Sequence, residues 1–184
     1  MTVWLAQVWW VALAAVGGWV QLREPERLAP YVPSPQPVVE KMLEAVALKP
    51  GEVVYDLGCG DGRILITAVQ KFKAKGVGVE LSPKLVAQAQ EQVSKRGLQN
   101  WITIRQGDLL EADFSGADVV TLYLLTSLNA RLQPKFEQTL KPGARVVSHD
   151  FAIRGWQPVR VEKVKVSNRT HTIYVYEIKK PPAP

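Results

Sequence analysis

The chain has 184 residues, 47% of them hydrophobic and 22% charged, with a formal net charge of +6. These are globular values that exclude a disordered chain, and the length suits one domain with a sizeable core. Cys59 is the only cysteine, which excludes an internal disulfide and fits a reducing compartment. The positive balance suits an acidic partner or a membrane surface. Nucleic acid is not the expected partner, because the basic residues are spread along the chain rather than clustered.

Residues 3–20 carry no charge, and Trp4, Trp9, Trp10 and Trp19 lie among them. A spanning helix needs about 20 mainly apolar residues, and tryptophan favours membrane interfaces. Residues 1–22 are therefore read as an apolar helix that anchors the chain in a membrane. A signal peptide would want positive charge before the apolar run, and here Arg23 and Arg27 follow it. That order puts the rest of the chain on the cytoplasmic side. The alternative is a helix packed on the domain or on a partner subunit, in a cytoplasmic protein. Residues 23–37 read as an extended proline-rich linker. Its Tyr31-Val32-Pro33-Ser34-Pro35 stretch suits either a rigid spacer or a stiff strap that closes over a ligand.

A domain is expected over residues 38–180. Its first helix begins at Ser34 or Gln36, carries Val38, Val39, Met42, Leu43 and Val46 at helical spacing, and ends at Lys49-Pro50-Gly51. Val53 to Leu57 reads as a buried strand, and Gly58, Gly60 and Gly62 follow at alternate positions. A helix starting at Asp61 or Gly62 comes next. A ligand is then expected over the strand's carboxyl end, against Asp56, Gly58, Cys59, Gly60, Asp61 and Gly62. Cys59 reads as a small filler within that turn.

A second strand, Gly76 to Glu80, ends in an acid eighteen residues beyond Gly62. Rossmann-type folds place an acid about 20 residues past the glycines, on the ribose hydroxyls. Glu80 and its neighbour Leu81 join the expected site. Ser82 is the expected N-cap of the next helix, with Pro83 at its first position. Residues 101–106 read as a third strand, and Asp108 and Leu109 fall just past it on the same rim. Residues 117–125 read as a fourth strand, ending beside Tyr123. The next helix carries Leu128, Leu132, Phe136 and Leu140, and residues 144–148 form strand five. His149 reads as a structural histidine. Residues 159–166 and 172–178 then form an antiparallel hairpin around a turn at 167–170. The tail from Lys179 reads as loose. No internal repeat and no metal-ligand set is expected.

Asp56-Leu57-Gly58-Cys59-Gly60-Asp61-Gly62 closely resembles the first motif of Rossmann-like S-adenosylmethionine (SAM) methyltransferases. The chemistry agrees, since SAM is cationic and lacks phosphate, and acids suit it better than the bare backbone N–H groups of a pyrophosphate site. The resemblance spans roughly residues 36–178. It implies a three-layer α/β/α sandwich on a mostly parallel seven-stranded sheet with a C-terminal antiparallel hairpin. It also implies SAM as cofactor, with Asp108 at the adenine amino group and Tyr123 near the methyl. Methyltransferases acting on nucleobase amines often carry Asn-Pro-Pro-Tyr after strand four. This chain has Tyr-Leu-Leu-Thr-Ser-Leu-Asn there instead.

A narrower resemblance rests on the apolar start, Tyr31-Val32-Pro33-Ser34, the glycine motif with Arg63-Ile64, Val77-Gly78-Val79-Glu80-Leu81, and Trp156-Gln157-Pro158. Together these look like the lysine methyltransferases of the ATP synthase c subunit and the adenine nucleotide translocase, with their prokaryotic relatives. No mitochondrial targeting extension is recognisable, so a prokaryotic member is expected. The implied partner is a protein presenting a lysine. Tyr31, Tyr123, Asp150 and Trp156 are the expected acceptor channel. Two other readings stay open: a methyltransferase for a small molecule or lipid, and a non-catalytic SAM-binding module. The substrate, the number of methyl groups and the oligomeric state are not set by the sequence.

Overall fold

The computed structural model describes residues 31–179. The apolar run at 3–20, and with it the expected anchor helix, lies outside the described residues. Among the described residues, no helix is long and apolar enough to cross a membrane.

Helix α1 (Gln36–Ala45) precedes strand β1 (Val53–Leu57), helix α2 (Arg63–Phe72) and strand β2 (Lys75–Glu80). Helix α3 (Pro83–Lys95), strands β3 (Ile102–Gln106) and β4 (Val119–Leu122), helix α4 (Thr126–Thr139) and strands β5 (Arg145–His149), β6 (Arg160–Val166) and β7 (Arg169–Glu177) follow. The apolar periodicity accounts for the packing. Val38, Val39, Met42 and Leu43 of α1 join Leu65, Ala68 and Val69 of α2 and Val93 of α3 in one core. Leu128, Leu132 and Phe136 of α4 join Phe114 and the inner residues of β4 and β5 in a second. The sheet separates the two, giving three layers.

The strand order is β3-β2-β1-β4-β5-β7-β6, parallel from β3 to β5. β7 runs antiparallel to both of its neighbours. The order reverses between β1 and β4, so the crevice beyond their carboxyl ends is the topological switch point where such sheets bind ligands. The register sets what meets there. Leu57 pairs with Val79 and with Leu122, and Glu80 pairs with Gln106. The residues that follow these strands therefore share one rim.

Several boundaries shift by a few residues, α1 ending at Ala45 rather than at 49–51, and two shifts have a clear cause. β4 is shorter than 117–125, because Asp118 turns its carboxylate to accept from the Val53 amide and residues 123–125 leave the sheet. The hairpin turn is only Ser167-Asn168, since Val166 already pairs with Arg169 and Ser167 takes a left-handed φ of 53°. Arg169 and Thr170 consequently belong to β7.

A candidate active site at the switch point

The glycine loop between β1 and α2 forms the floor. Its amides at Gly58 and Cys59 donate to the Val79 carbonyl, at 2.8 and 3.1 Å, tying the loop to the end of β2. The Gly60 amide donates to Glu80 Oε2 at 3.0 Å, and the Ser82 amide donates to Oε1 at 2.9 Å. Both oxygens of Glu80 are thus oriented by backbone, with lone pairs left over for a ligand. Gly60 is required twice over. Its φ is +54°, and a Cβ there would collide with the ring of Tyr31. Gly78 leaves room for Cys59, whose sulfur would lie 2.6 Å from a Cβ at that position. Cys59 is buried, and burial together with the nearby Asp56 carboxylate pushes its thiol well above the usual range. It fills space, as its position in the turn implied, and is no nucleophile.

Four acids surround the floor in different electrostatic states. Asp56 is 3% exposed, and the β1–β4 register puts Thr121 directly beside it. The Thr121 hydroxyl donates to Asp56 Oδ1 at 2.7 Å. Burial pushes the Asp56 carboxyl up to about 7, against the pull of that hydrogen bond and helped by the charges of Glu80 and Asp61. A buried acid with only a hydroxyl partner suits a cationic ligand. Asp61 already has its cation. Burial opposes its ionisation, but the Arg63 guanidinium at 2.6 Å holds it below the usual carboxylate range. Asp108 faces the cleft and also closes an Asx-turn, with Oδ1 accepting from the Leu110 amide at 2.9 Å.

The Tyr31–Ser34 strap forms one wall. Arg63 Nη1 donates to the Ser34 carbonyl at 3.1 Å, and Ser34 Oγ lies 2.9 Å from His149 Nδ1. Tyr31 covers the glycine loop while remaining 37% exposed, and its phenol is raised by burial and by the Asp61 carboxylate. Tyr123, Leu124 and Leu128 continue the lining beyond the strap. Tyr123 stacks on His149 with ring centroids 3.8 Å apart. Its phenol is raised by burial and by the charge of Asp150. The cleft encloses about 930 Å³, counting the solvent at its mouth.

Asp56, Gly58, Cys59, Asp61, Glu80, Leu81, Asp108, Leu109, Tyr31 and Tyr123 all line this cleft. Gly60 and Gly62 lie in the same loop but do not line it. Gly60 serves through its amide, and Gly62 caps α2 with a φ of 78°. Asp150 and Trp156, expected in the acceptor channel, do not line this cleft. Asp150 is drawn back to β7, where it accepts from the Thr172 amide at 2.8 Å and from Arg169 at 3.0 Å. Trp156 packs on Phe136 and Tyr176 and donates to Glu137 at 2.8 Å. Its aromatic neighbours belong to α4 and β7, so it braces that end of the sheet.

The sequence reading missed Arg63 as the strap's clamp and Ser34 and Thr121 as site neighbours. Arg63 carried a signal, standing two residues from Asp61. His171 carried none. His149 is no isolated histidine, because its Nε2 meets His171 Nδ1 at 2.8 Å. With Asp150 these two bring three ligand-type atoms together, where no such set was expected.

Comparison with known proteins accords with this geometry. Residues 56–160 match the ANTKMT methyltransferase domain. A protein-lysine N-methyltransferase of Saccharolobus islandicus (strain REY15A) is 49% identical over 150 residues, covering 81% of this chain and 93% of that protein. The adenine nucleotide translocase lysine N-methyltransferase of Mus musculus is 34% identical over 157 residues, 85% of this chain and 66% of that protein. A solved structure, described as an RNA methyltransferase from Salinibacter ruber in complex with S-adenosyl-L-homocysteine, is 45% identical with a TM-score of 0.77. The alignment covers 83% of this chain and 97% of that one. With the glycine loop, the ringed acids and the sheet order already in place, these matches establish that the chain belongs to the ANTKMT methyltransferase family and is a SAM-dependent methyltransferase.

Proposed function

We propose that the protein methylates the side-chain amine of a lysine in a protein substrate. What carries the reading is a cleft of these acids and aromatics on a chain 49% identical to a protein-lysine N-methyltransferase. Bound SAM supplies a methyl group made electrophilic by its sulfonium. Asp56 is assigned to its cationic amino-acid end, with Asp61, already paired with Arg63, lining the cleft beside it; Glu80 is assigned to the ribose hydroxyls, and Asp108 with Leu109 to the adenine edge. The loop at 58–62 is assigned to close approach of backbone, with Cys59 and Leu81 as packing. Asp56 fits this role because a cation nearby restores the ionised form that burial opposes.

The acceptor amine must lose its proton before it can attack. Tyr31 and Tyr123 both line the cleft, where aromatic faces attract an ammonium and then help strip its water. Holding amine and methyl in line supplies much of the rate. No described segment closes over the mouth beyond the short strap, which favours a side chain presented by a larger molecule over a small free acceptor.

Residues 1–22 are proposed as a membrane anchor, 23–37 as linker and strap, and 38–180 as the catalytic domain on the cytoplasmic side. The uncharged run at 3–20 and the positive charge after it support that placement. An RNA amine is the second acceptor considered, because the Salinibacter ruber relative is described as an RNA methyltransferase.

Membranes and total RNA from a strain lacking the gene, incubated with methyl-labelled SAM and purified protein, test the acceptor. Label on protein lysines, absent with a Glu80→Ala form, is the expected result. Label confined to RNA or to the organic extract would replace it.

A further inference from the structure

We propose that Ser34, His149, His171 and Asp150 form a proton relay that draws the proton off the acceptor amine at the cleft wall. The inference rests on reading that acceptor as a lysine amine, and it assigns work to groups the cofactor side leaves unused.

The groups form a continuous chain. Ser34 lines the cleft, and its carbonyl is held by Arg63, which fixes the residue that bears the hydroxyl. Its Oγ lies 2.9 Å from His149 Nδ1. His149 is fully buried at the end of β5, with Tyr123 stacked on its face. His149 Nε2 lies 2.8 Å from His171 Nδ1 on β7, and that nitrogen lies 3.0 Å from Asp150 Oδ2. Asp150 follows β5 with a φ of +59°, which turns its carboxylate back to the Thr172 amide. Arg169, with a side chain 65% exposed, bonds the same carboxylate from the solvent side.

The charged and titratable groups facing His149 are therefore Asp150, His171, Arg169 and the Tyr123 phenol. Burial dominates among their effects and lowers His149 to about 4. His149 thus stays neutral near pH 7 and passes a proton on rather than keeping it. Asp150 resists protonation, because the Thr172 amide holds it below its usual range against the cost of burial.

The step balances. In the resting state both histidines carry their proton on Nε2, so His171 Nδ1 accepts from His149. As an amine N–H bond breaks, a new Oγ–H bond forms on Ser34. The old Ser34 proton moves to His149 Nδ1, the His149 Nε2 proton moves to His171 Nδ1, and only then can His171 Nδ1 donate to Asp150 Oδ2. The positive charge comes to rest on His171 beside the Asp150 carboxylate, leaving the amine lone pair free. After methyl transfer and product departure, the same bonds run backwards and the proton leaves through Ser34 to water in the open cleft.

The same three atoms of His149, His171 and Asp150 also resemble a metal-ligand set. The distances favour a proton. Two nitrogens on one tetrahedral zinc stand roughly 3.3 Å apart, given Zn–N bonds of about 2.0–2.1 Å. The 2.8 Å observed is a hydrogen-bond length. Asp150 Oδ2 also already carries the Arg169 cation.

The test is the pH dependence of methyl transfer from labelled SAM to a lysine-rich peptide by the full chain. His171→Asn keeps a polar group near the Nδ1 position but cannot take up the proton. It is expected to lower kcat at pH 7 by about 100-fold, the range of general acid–base effects. The deficit should shrink to within about threefold by pH 10, where free lysine nears its own pKa of about 10.4. Ser34→Ala should behave alike, and Ser34→Thr should restore the wild-type profile. SAM affinity of His171→Asn, by calorimetry, should stay within about twofold. Rate–pH profiles parallel to wild type would overturn the relay while leaving lysine methylation intact. So would one equivalent of zinc in the purified protein that His171→Asn loses. A wild type that labels no lysine at any pH would remove the lysine reading, and the relay with it.

Discussion

The two sides of the cleft are built by different rules. On the side assigned to the cofactor, the acids stand at strand ends within a few residues of a glycine or a turn; backbone amides aim Glu80 and Asp108, while the side chains of Thr121 and Arg63 hold Asp56 and Asp61. Glu80 takes both of its partners, Gly60 and Ser82, from chain within 20 residues. On the side proposed for the acceptor, side chains from remote segments aim one another, as Ser34 and His149 do across 115 positions. Backbone-aimed groups are fixed once the strand register is fixed. Side-chain networks hold only while every member is present, so the two sides should fail differently under substitution.

The cofactor side should show the largest single loss. Glu80→Ala removes both amide contacts and the group assigned to the ribose. Hydrogen bonds to charged groups are worth about 1.5–3 kcal/mol each, so SAM affinity should fall about 100-fold. Calorimetry with purified variant reads it directly. Affinity within threefold of wild type would mean that the loop holds the ligand without Glu80.

Asp56→Asn sharpens the contrast by moving two quantities in opposite directions. The folded carboxyl sits at about 7, above its unfolded value of 3.8. Between those values the folded state binds the extra proton, so Asp56 favours folding at low pH and that contribution is lost as pH rises through about 7. Above this window, the ligand-free variant should be more stable than wild type by on the order of 4 kcal/mol, about 12 °C in Tm. Near pH 4 the two should match. SAM affinity of the variant should fall all the same, because the amide cannot neutralise a cation. A Tm difference that did not change with pH would place the Asp56 carboxylate in a wetter setting than its burial implies.

These cases also show what the sequence could and could not reveal. The clustering of the acids around the glycine loop was legible because it is local. Asp56, Asp61 and Glu80 stand at spacings that the strand–turn–helix geometry itself imposes, and the sheet order follows from alternating elements. Asp150 and Trp156 lie outside the cleft lining, which the sequence could not show because a residue following a strand can turn either way. The left-handed backbone at Asp150 and the aromatic neighbours of Trp156 are properties of the assembled sheet. His171 was invisible because only the β5–β7 register brings it beside His149. Arg63 was visible as a charge beside Asp61, but the strap carbonyl it holds lies 29 positions away.

The strap joins the two sides, and Gly60→Ala probes the joint. A Cβ there must displace the Tyr31 ring, and the left-handed φ adds about 1–2 kcal/mol. SAM affinity should fall about tenfold. Gly60→Ala with Tyr31→Ala should recover part of that loss, since the collision partner is gone while the backbone cost stays. Equal losses in the single and double variants would show that backbone strain alone is responsible and that the strap does not press on the loop.

Trp156→Phe should give the smallest effect, and it fixes where the acceptor side ends. The indole contacts Phe136 and Tyr176 and donates to Glu137, all outside the cleft lining. Phenylalanine keeps most of the packing and loses the exposed hydrogen bond, at a cost of about 1 kcal/mol in denaturant unfolding. SAM affinity and methyl transfer should stay within about twofold of wild type. A larger fall in transfer with unchanged SAM affinity would mean that the acceptor reaches past Tyr123 to this end of the sheet, and the channel would then extend over the surface formed by α4 and β7.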